Sequence, residues 1–113
     1  MKSQINWNDF EKIDIRVGTI TEAEPFEKAR NPAYKLWIDF GPEFGMKKTS
    51  AQITNLYSID DLKGKQVLAV VNFPPKQIAD FMSECLVLGA VGDQKEVTLL
   101  TVDLPVKNGL AIG

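Results

Sequence analysis

The chain has no histidine and one cysteine, Cys85, among its 113 residues. The missing imidazole removes the commonest general base and the commonest metal ligand. A lone thiol without an imidazole partner supplies neither a Cys–His nucleophile nor a zinc ligand set. It cannot close an internal disulfide either, which fits a reducing cytoplasm. No apolar run approaches the roughly 20 residues of a membrane span, and the start MKSQINWNDF has no apolar h-region of a secretory signal. Neither GxGxxG nor a Walker A pattern occurs. The 15 carboxylates lie scattered and read as solvated surface rather than as an acid–base pair. These absences predict a cytoplasmic protein that is not an enzyme, carries no metal or cofactor and does not insert into a membrane.

What is present suits a single domain over residues 1–113, since 44% of the residues are hydrophobic and 25% are charged. A net charge of −2 argues against a protein that coats nucleic acid indiscriminately. The charge is unevenly spread: residues 1–27 carry −3, residues 28–48 carry +3 and residues 49–113 carry −2. The positive third contains Lys28, Arg30, Lys35, Lys47 and Lys48. Chance clustering on a solvated face would look the same.

Asn6 or Asn8 can cap a short helical turn through Trp7, Phe10 and Glu11. IDIRVGTI then alternates, with Ile13, Ile15 and Val17 on one side, and Gly18 inside it signals a bend or bulge in a strand ending near Pro25. PFEKARNPAY reads as a basic loop. KLWIDFG is a second strand with Leu36, Ile38 and Phe40 inward and Lys35, Trp37 and Asp39 outward. KKTSAQI is a third, with Lys48, Ser50 and Gln52 on one face and Thr49, Ala51 and Ile53 on the other. Ser58 and Asp61 start a helical turn that Gly64 ends. QVLAVVNF and CLVLGAV are apolar on both faces and predict strands buried on both. VTLLTV predicts a sixth strand, and DLPVKNGLAIG a tail.

Three strands, a short helix and two more strands, the first bent at glycine, is the order of an OB-fold. The predicted class is therefore all-β, a five-stranded barrel with short helices and N- and C-terminal extensions; a different small barrel or sandwich fits the pattern as well. In an OB-fold, oligonucleotides meet the outer face of strands two and three between loop 1–2 and loop 4–5. Here those elements are the +3 segment and NFPPKQIADFMSE, whose paired prolines suggest a stiffened loop with a task.

DFEKIDIRVGTI, KLWIDFG, LKGKQVLAVVNFPPK and SECLVLGA together resemble the tRNA-binding domain family. That family includes stand-alone tRNA-binding proteins and domains appended to methionyl- and phenylalanyl-tRNA synthetases. SAQIT and NFPPKQIADFMSE are similar to its CsaA branch, small proteins described as export-related chaperones. The resemblance runs from about Asp9 to Ala90. It implies an OB-fold, tRNA binding without catalysis, and a homodimer built with the terminal extensions, residues 91–113 among them. The family's loop 4–5 reads roughly N-L-K-P-R-K-M-R-G, then S-x-G-M. Asn72, Pro75, Lys76 and Ser83 match it. Pro74 and Gln77 replace lysines, Ala79 an arginine and Cys85 a glycine, so fewer cations meet the backbone of an RNA.

The candidate nucleic-acid-binding residues are thus Lys28, Arg30, Lys35, Trp37, Lys47, Lys48, Ser50, Gln52, Asn72, Lys76, Gln77 and Ser83. Trp37 can stack a base, pack under a loop or pack against a second subunit. A competing expectation is an ATP-independent chaperone that holds unfolded or export-bound polypeptides in an apolar groove formed by Trp37, Phe73 and Phe81. For both phenylalanines, burial in a core is the plainer expectation. Asp14 and Arg16 should pair structurally, and Cys85 should be a buried, inert thiol. The apolar runs VLAVV, CLVLGAV and VTLLTV, with Trp7, Leu104, Leu110 and Ile112, exceed what one small barrel encloses, which predicts a homodimer.

Overall fold

The computed structural model describes residues 1–113. Asn6 caps the short helix α1 (Trp7–Glu11): its side chain accepts from the Asp9 amide while the Asp9 carboxylate accepts from the Asn6 amide. The barrel strands are β1 (Ile15–Pro25), β2 (Tyr34–Asp39), β3 (Met46–Ala51), β4 (Gln66–Val70) and β7 (Leu86–Val87). They form one antiparallel sheet in the order β3-β2-β1-β4-β7. Helix α2 (Ile59–Leu62) links β3 to β4. Two hairpins stand outside the sheet: β5 (Lys76–Ile78) with β6 (Phe81–Ser83), and β8 (Gly89–Val91) with β9 (Val97–Leu99). The sheet nearly closes on itself where Glu84 donates its amide to the Lys48 carbonyl at 2.8 Å and accepts the Lys48 amide on its side chain at 2.9 Å. The result is an all-β barrel of OB type, as the order of elements predicts. No helix is long and apolar enough to cross a membrane.

The alternation read in the sequence sets the core. Ile20 of β1, Leu36 and Ile38 of β2, and Val67 and Ala69 of β4 are buried and meet Phe40 and Leu62 inside the barrel, while Val17, opposite Leu68, is buried on the other side of β1. Thr49 is the one buried polar residue. Its hydroxyl donates to the Cys85 carbonyl at 2.7 Å and shares a 2.8 Å hydrogen bond with the Ser83 hydroxyl, so the polar group is satisfied at the seam of the barrel.

Gly18 serves a purpose other than the expected bend. The register slips at Thr21, between the pairs Ile20↔Ile38 and Glu22↔Trp37, and the Thr21 hydroxyl donates to the Trp37 carbonyl there. At Gly18 a Cβ would sit 2.5 Å from Ile38 Cγ2 and 2.7 Å from Phe40 Cε1. The glycine lets the Phe40 ring lie against the backbone of β1.

Three other expectations change. The fourth strand ends at Val70 rather than Phe73, because Asn72 turns away to clamp the N-terminal segment: it donates to the Lys12 carbonyl and accepts the Asp14 amide. The fifth strand breaks into β7 and β8 at Leu88, and β9 pairs with β8 instead of extending the barrel. CLVLGAV is not buried on both faces either, since Leu86 and Val91 are exposed, Val91 by 71%. Within one chain nothing covers their outer side.

The C-terminal tail is used inside the chain. β1 pairs with β4 through Ile15–Thr19 and with β2 through Thr19–Pro25. Its first residues would therefore have a free edge. The tail fills it: the amides of Val17 and Ile112 donate to the carbonyls of Leu110 and Ile15, and the Gly109 amide donates to the Val17 carbonyl. Arg16 holds the same place, bonded to Asp14 at 2.6 Å and to the Gly109 carbonyl, with its guanidinium 4.4 Å from the centre of the Phe44 ring.

Replacing Gly18 with alanine is expected to destabilise the fold by about 1–3 kcal/mol through overpacking. The measurement is the urea midpoint, which should fall at an unchanged m-value; an unchanged midpoint would show that Phe40 yields without cost.

Candidate nucleic-acid interface

Antiparallel register decides which side chains meet. Lys35 of β2 lies opposite Ser50 of β3, and Trp37 lies opposite Lys48, so these four share the outer face. The β5–β6 hairpin folds back over that face and seats Phe81 on it. Phe81 is 6% exposed. Its ring makes edge contacts with Phe26 of the β1–β2 loop (centroids 5.4 Å apart) and with Trp37 (6.1 Å). Ala33, Ala29 and Ile78 complete this second, smaller cluster.

The cations converge on the same ring. Lys48 Nζ and Lys35 Nζ each lie 5.2 Å from the Phe81 centroid, and Lys35 Nζ is also 5.0 Å from that of Phe26. Neither lysine has a carboxylate partner, because the two ion pairs of the structure are Arg16–Asp14 and Lys28–Asp80. Two ammonium groups held on one ring, neither in an ion pair, can meet an anion such as a phosphate oxygen.

A strip of neighbours continues from this point. Ser50 donates its amide to the Ser83 hydroxyl at 3.2 Å, and Ser83 lies opposite Lys76 across the hairpin. Lys76, Gln77, Ser50, Gln52, Ser83 and Arg30 face a groove of about 1370 Å³ between the β1–β2 loop, the end of β3, the hairpin and β7–β8. Most residues lining it are apolar, and its only charged ones are Arg30 and Lys76. The structure therefore divides the sequence-predicted residues into two adjoining sets. Lys35, Trp37 and Lys48 surround Phe81, with Lys28 paired to the adjacent Asp80, while Arg30, Ser50, Gln52, Lys76, Gln77 and Ser83 line the groove.

Two predicted residues join neither set. Lys47 lies opposite Ile38, on the alternation of Thr49, so it is on the other face from Lys48; its charge acts on the Cys85 thiol. Asn72 spends its side chain on Lys12 and Asp14, away from both sets. The aromatic residues sort in a similar way. Trp37 is half-buried against Phe81 and packs under the hairpin rather than standing free for a base. Phe81 is a core residue, as its plainer reading had it. Phe73 is not: it is 53% exposed and lines the groove. Ser83 is held by Thr49 and Ser50, which fixes the hairpin to β3.

Sequence reasoning missed the hairpin and Asp80. KQI and FMS are its strands, joined by Ala79-Asp80. Ala79 has φ +53, a left-handed conformation for which turns usually recruit glycine or asparagine. Without either residue the turn left no mark. Asp80, at the tip, bonds Lys28 at 2.9 Å and ties the hairpin to the β1–β2 loop.

Cys85 is buried behind this assembly, and burial raises its thiol to about 11 from 9.0. At pH 8 that lowers the thiolate fraction about a hundredfold. Alkylation of the folded protein by iodoacetamide should therefore run at least about a hundredfold slower than in denaturant, as read by mass spectrometry; equal rates would place the thiol in solvent.

Relatives share this architecture. The family model of a putative tRNA binding domain matches residues 15–111. The chaperone CsaA of Bacillus anthracis superposes with a TM-score of 0.93 at 51% identity, covering 98% of this chain and 100% of that one. The CsaA chaperone protein of Picrophilus torridus gives 0.92 at 55% identity over 97% and 100%. The methionine–tRNA ligase of Methanocaldococcus jannaschii is 38% identical over 106 residues, 94% of this chain and 16% of the ligase. The chain thus spans about a sixth of the length of the ligases it matches. From β1 to the returning tail, sequence and superposition agree, and the chain belongs to the family of putative tRNA-binding domains, within its CsaA branch.

Proposed function

We propose that the protein is a non-catalytic, cytoplasmic tRNA-binding module. It grips folded tRNA by shape and backbone, without a cofactor, through the Phe81 face and the adjoining groove. The observation that carries this reading is the convergence of Lys35 and Lys48 on one buried ring with no carboxylate partner. Arg30 and Lys76 extend the positive strip along the groove, and membership of the family supports tRNA as the polyanion. Side chains that reach phosphates from a fixed shape, with Trp37 packed under the hairpin, suit a structured RNA better than a single strand.

Binding is expected to be salt-dependent. Contacts to about four phosphates give a log–log slope of about 3 to 4. Replacing Lys35 and Lys48 together with glutamine should reduce that slope by about 2 and weaken tRNA binding about tenfold or more. A flat salt dependence, or an unchanged affinity in the double variant, would contradict the reading.

The protein acts as a homodimer in this proposal. Trp7 is 84%, Leu104 70% and Leu110 46% exposed. Hiding that surface against a second copy would also set two basic faces in one particle, which raises effective concentration for a large RNA. Sedimentation should show a dimer at micromolar concentration; a monomer would remove this element.

A second reading rests on a different observation. The groove is mostly apolar, and Phe73 with Pro74 and Pro75 stands exposed along it, which suits an unfolded or export-bound polypeptide held without ATP. Suppression of client aggregation that is lost in Phe73→Ser but kept in the Lys35/Lys48 double variant is its signature. Loss in both, or in neither, would count against it.

A further inference from the structure

Asp80 is a carboxylate set inside a basic patch. It stands at the hairpin turn beside Phe81, and Phe81 is buried between the β1–β2 loop and β2. The hairpin tip is therefore held down by its neighbour, whatever Asp80 itself does. From there the carboxylate reaches Lys28 of the loop at 2.9 Å, 52 residues away in sequence. Both side chains remain open to solvent, Lys28 by 73% and Asp80 by 53%. The Lys28 hydrogen bond above all holds the Asp80 carboxyl below its usual range, and Lys35 adds its charge from β2. Exposed ion pairs of this kind stabilise a fold little. The consequence of the pair lies in the electrostatics of the face, where the carboxylate occupies a cation that would otherwise be open to an RNA phosphate.

We propose that Asp80 is a built-in competitor for the RNA backbone, a specificity-determining residue that keeps Lys28 neutralised and leaves the Lys35–Lys48 site partly screened. A ligand must offer several phosphates at once to displace it, as a folded tRNA does and a short strand does not. This rests on the tRNA-binding reading above.

The test is a double-mutant cycle, with tRNA affinity read at about 50, 100 and 200 mM salt. Asp80→Asn removes the charge and leaves Phe81 to hold the hairpin. It should tighten binding about threefold to tenfold at low salt and steepen the log–log slope by about one. Lys28→Gln leaves Asp80 unpaired and removes the cation that the displaced carboxylate would free, so it should weaken binding about threefold or more, and Asp80→Asn should gain clearly less in that background than alone. Asp93→Asn, with the same change in net charge on the β8–β9 turn and no ion-pair partner, should leave binding within about twofold. Unchanged or weaker binding by Asp80→Asn, an equal gain from Asp93→Asn, or additive effects of Lys28 and Asp80 would each overturn the proposal. If the unaltered protein binds tRNA with the expected slope and Asp80→Asn is silent, only this inference fails. If the unaltered protein shows no salt-dependent binding, the tRNA reading fails and takes the inference with it.

Discussion

Phe81 lies under two lysine ammonium groups and between two other aromatic rings, and that placement organises the outer face of the barrel. Burying a side chain of this size contributes about 1.5–3 kcal/mol, enough to hold a hairpin of two three-residue strands that would not persist alone. Once the ring is seated, the hairpin has one position over β2 and β3. The lysine stems then lie along its apolar surface, and their charged ends stay in water. The loop, the hairpin and the strands become one surface because a single side chain joins them.

The Ser83–Glu84–Cys85 segment has a parallel role at the edge of β3. A strand edge left open is an invitation to pair with another chain. Here the backbone of Glu84, the hydroxyl of Ser83 and the carbonyl of Cys85 take up Lys48, Ser50 and Thr49 in turn. The same bonds that close the barrel set Lys76 beside Ser50. Structure and candidate site therefore share their supports, and a change at the seam would be felt at both.

Most of the barrel was legible because period-two alternation is a direct record of burial. Leu36, Ile38 and Phe40 against Lys35, Trp37 and Asp39 gave both the strand and its inward face. The reading failed where tertiary contacts override local pattern. QVLAVVNF looks continuous, yet Asn72 is recruited by Lys12 and Asp14, and the strand stops short. Gly18 was visible, but its reason was not, since the ring it accommodates comes from 22 residues away in Phe40. The candidate site was half legible. Charge and topology pointed to Lys35, Lys48 and Lys76, whereas the anchoring role of Phe26 and Phe81 depends on a hairpin that Ala79-Asp80 conceals. Alternation did mark Lys47 as a neighbour of Thr49 rather than Lys48, and counting positive charge without regard to face overlooked it.

On this account, cations drawn from β2, β3 and the hairpin act as one patch because Phe81 gathers them. The most direct check is to map the footprint of tRNA on the protein by backbone and lysine-ammonium NMR shifts during titration. Changes should concentrate on residues 26–37, 48–52 and 73–84, with Lys35 and Lys48 moving together at the same concentrations. Shifts confined to the surface around Trp7 and Leu104, with Lys35 and Lys48 unmoved, would contradict it.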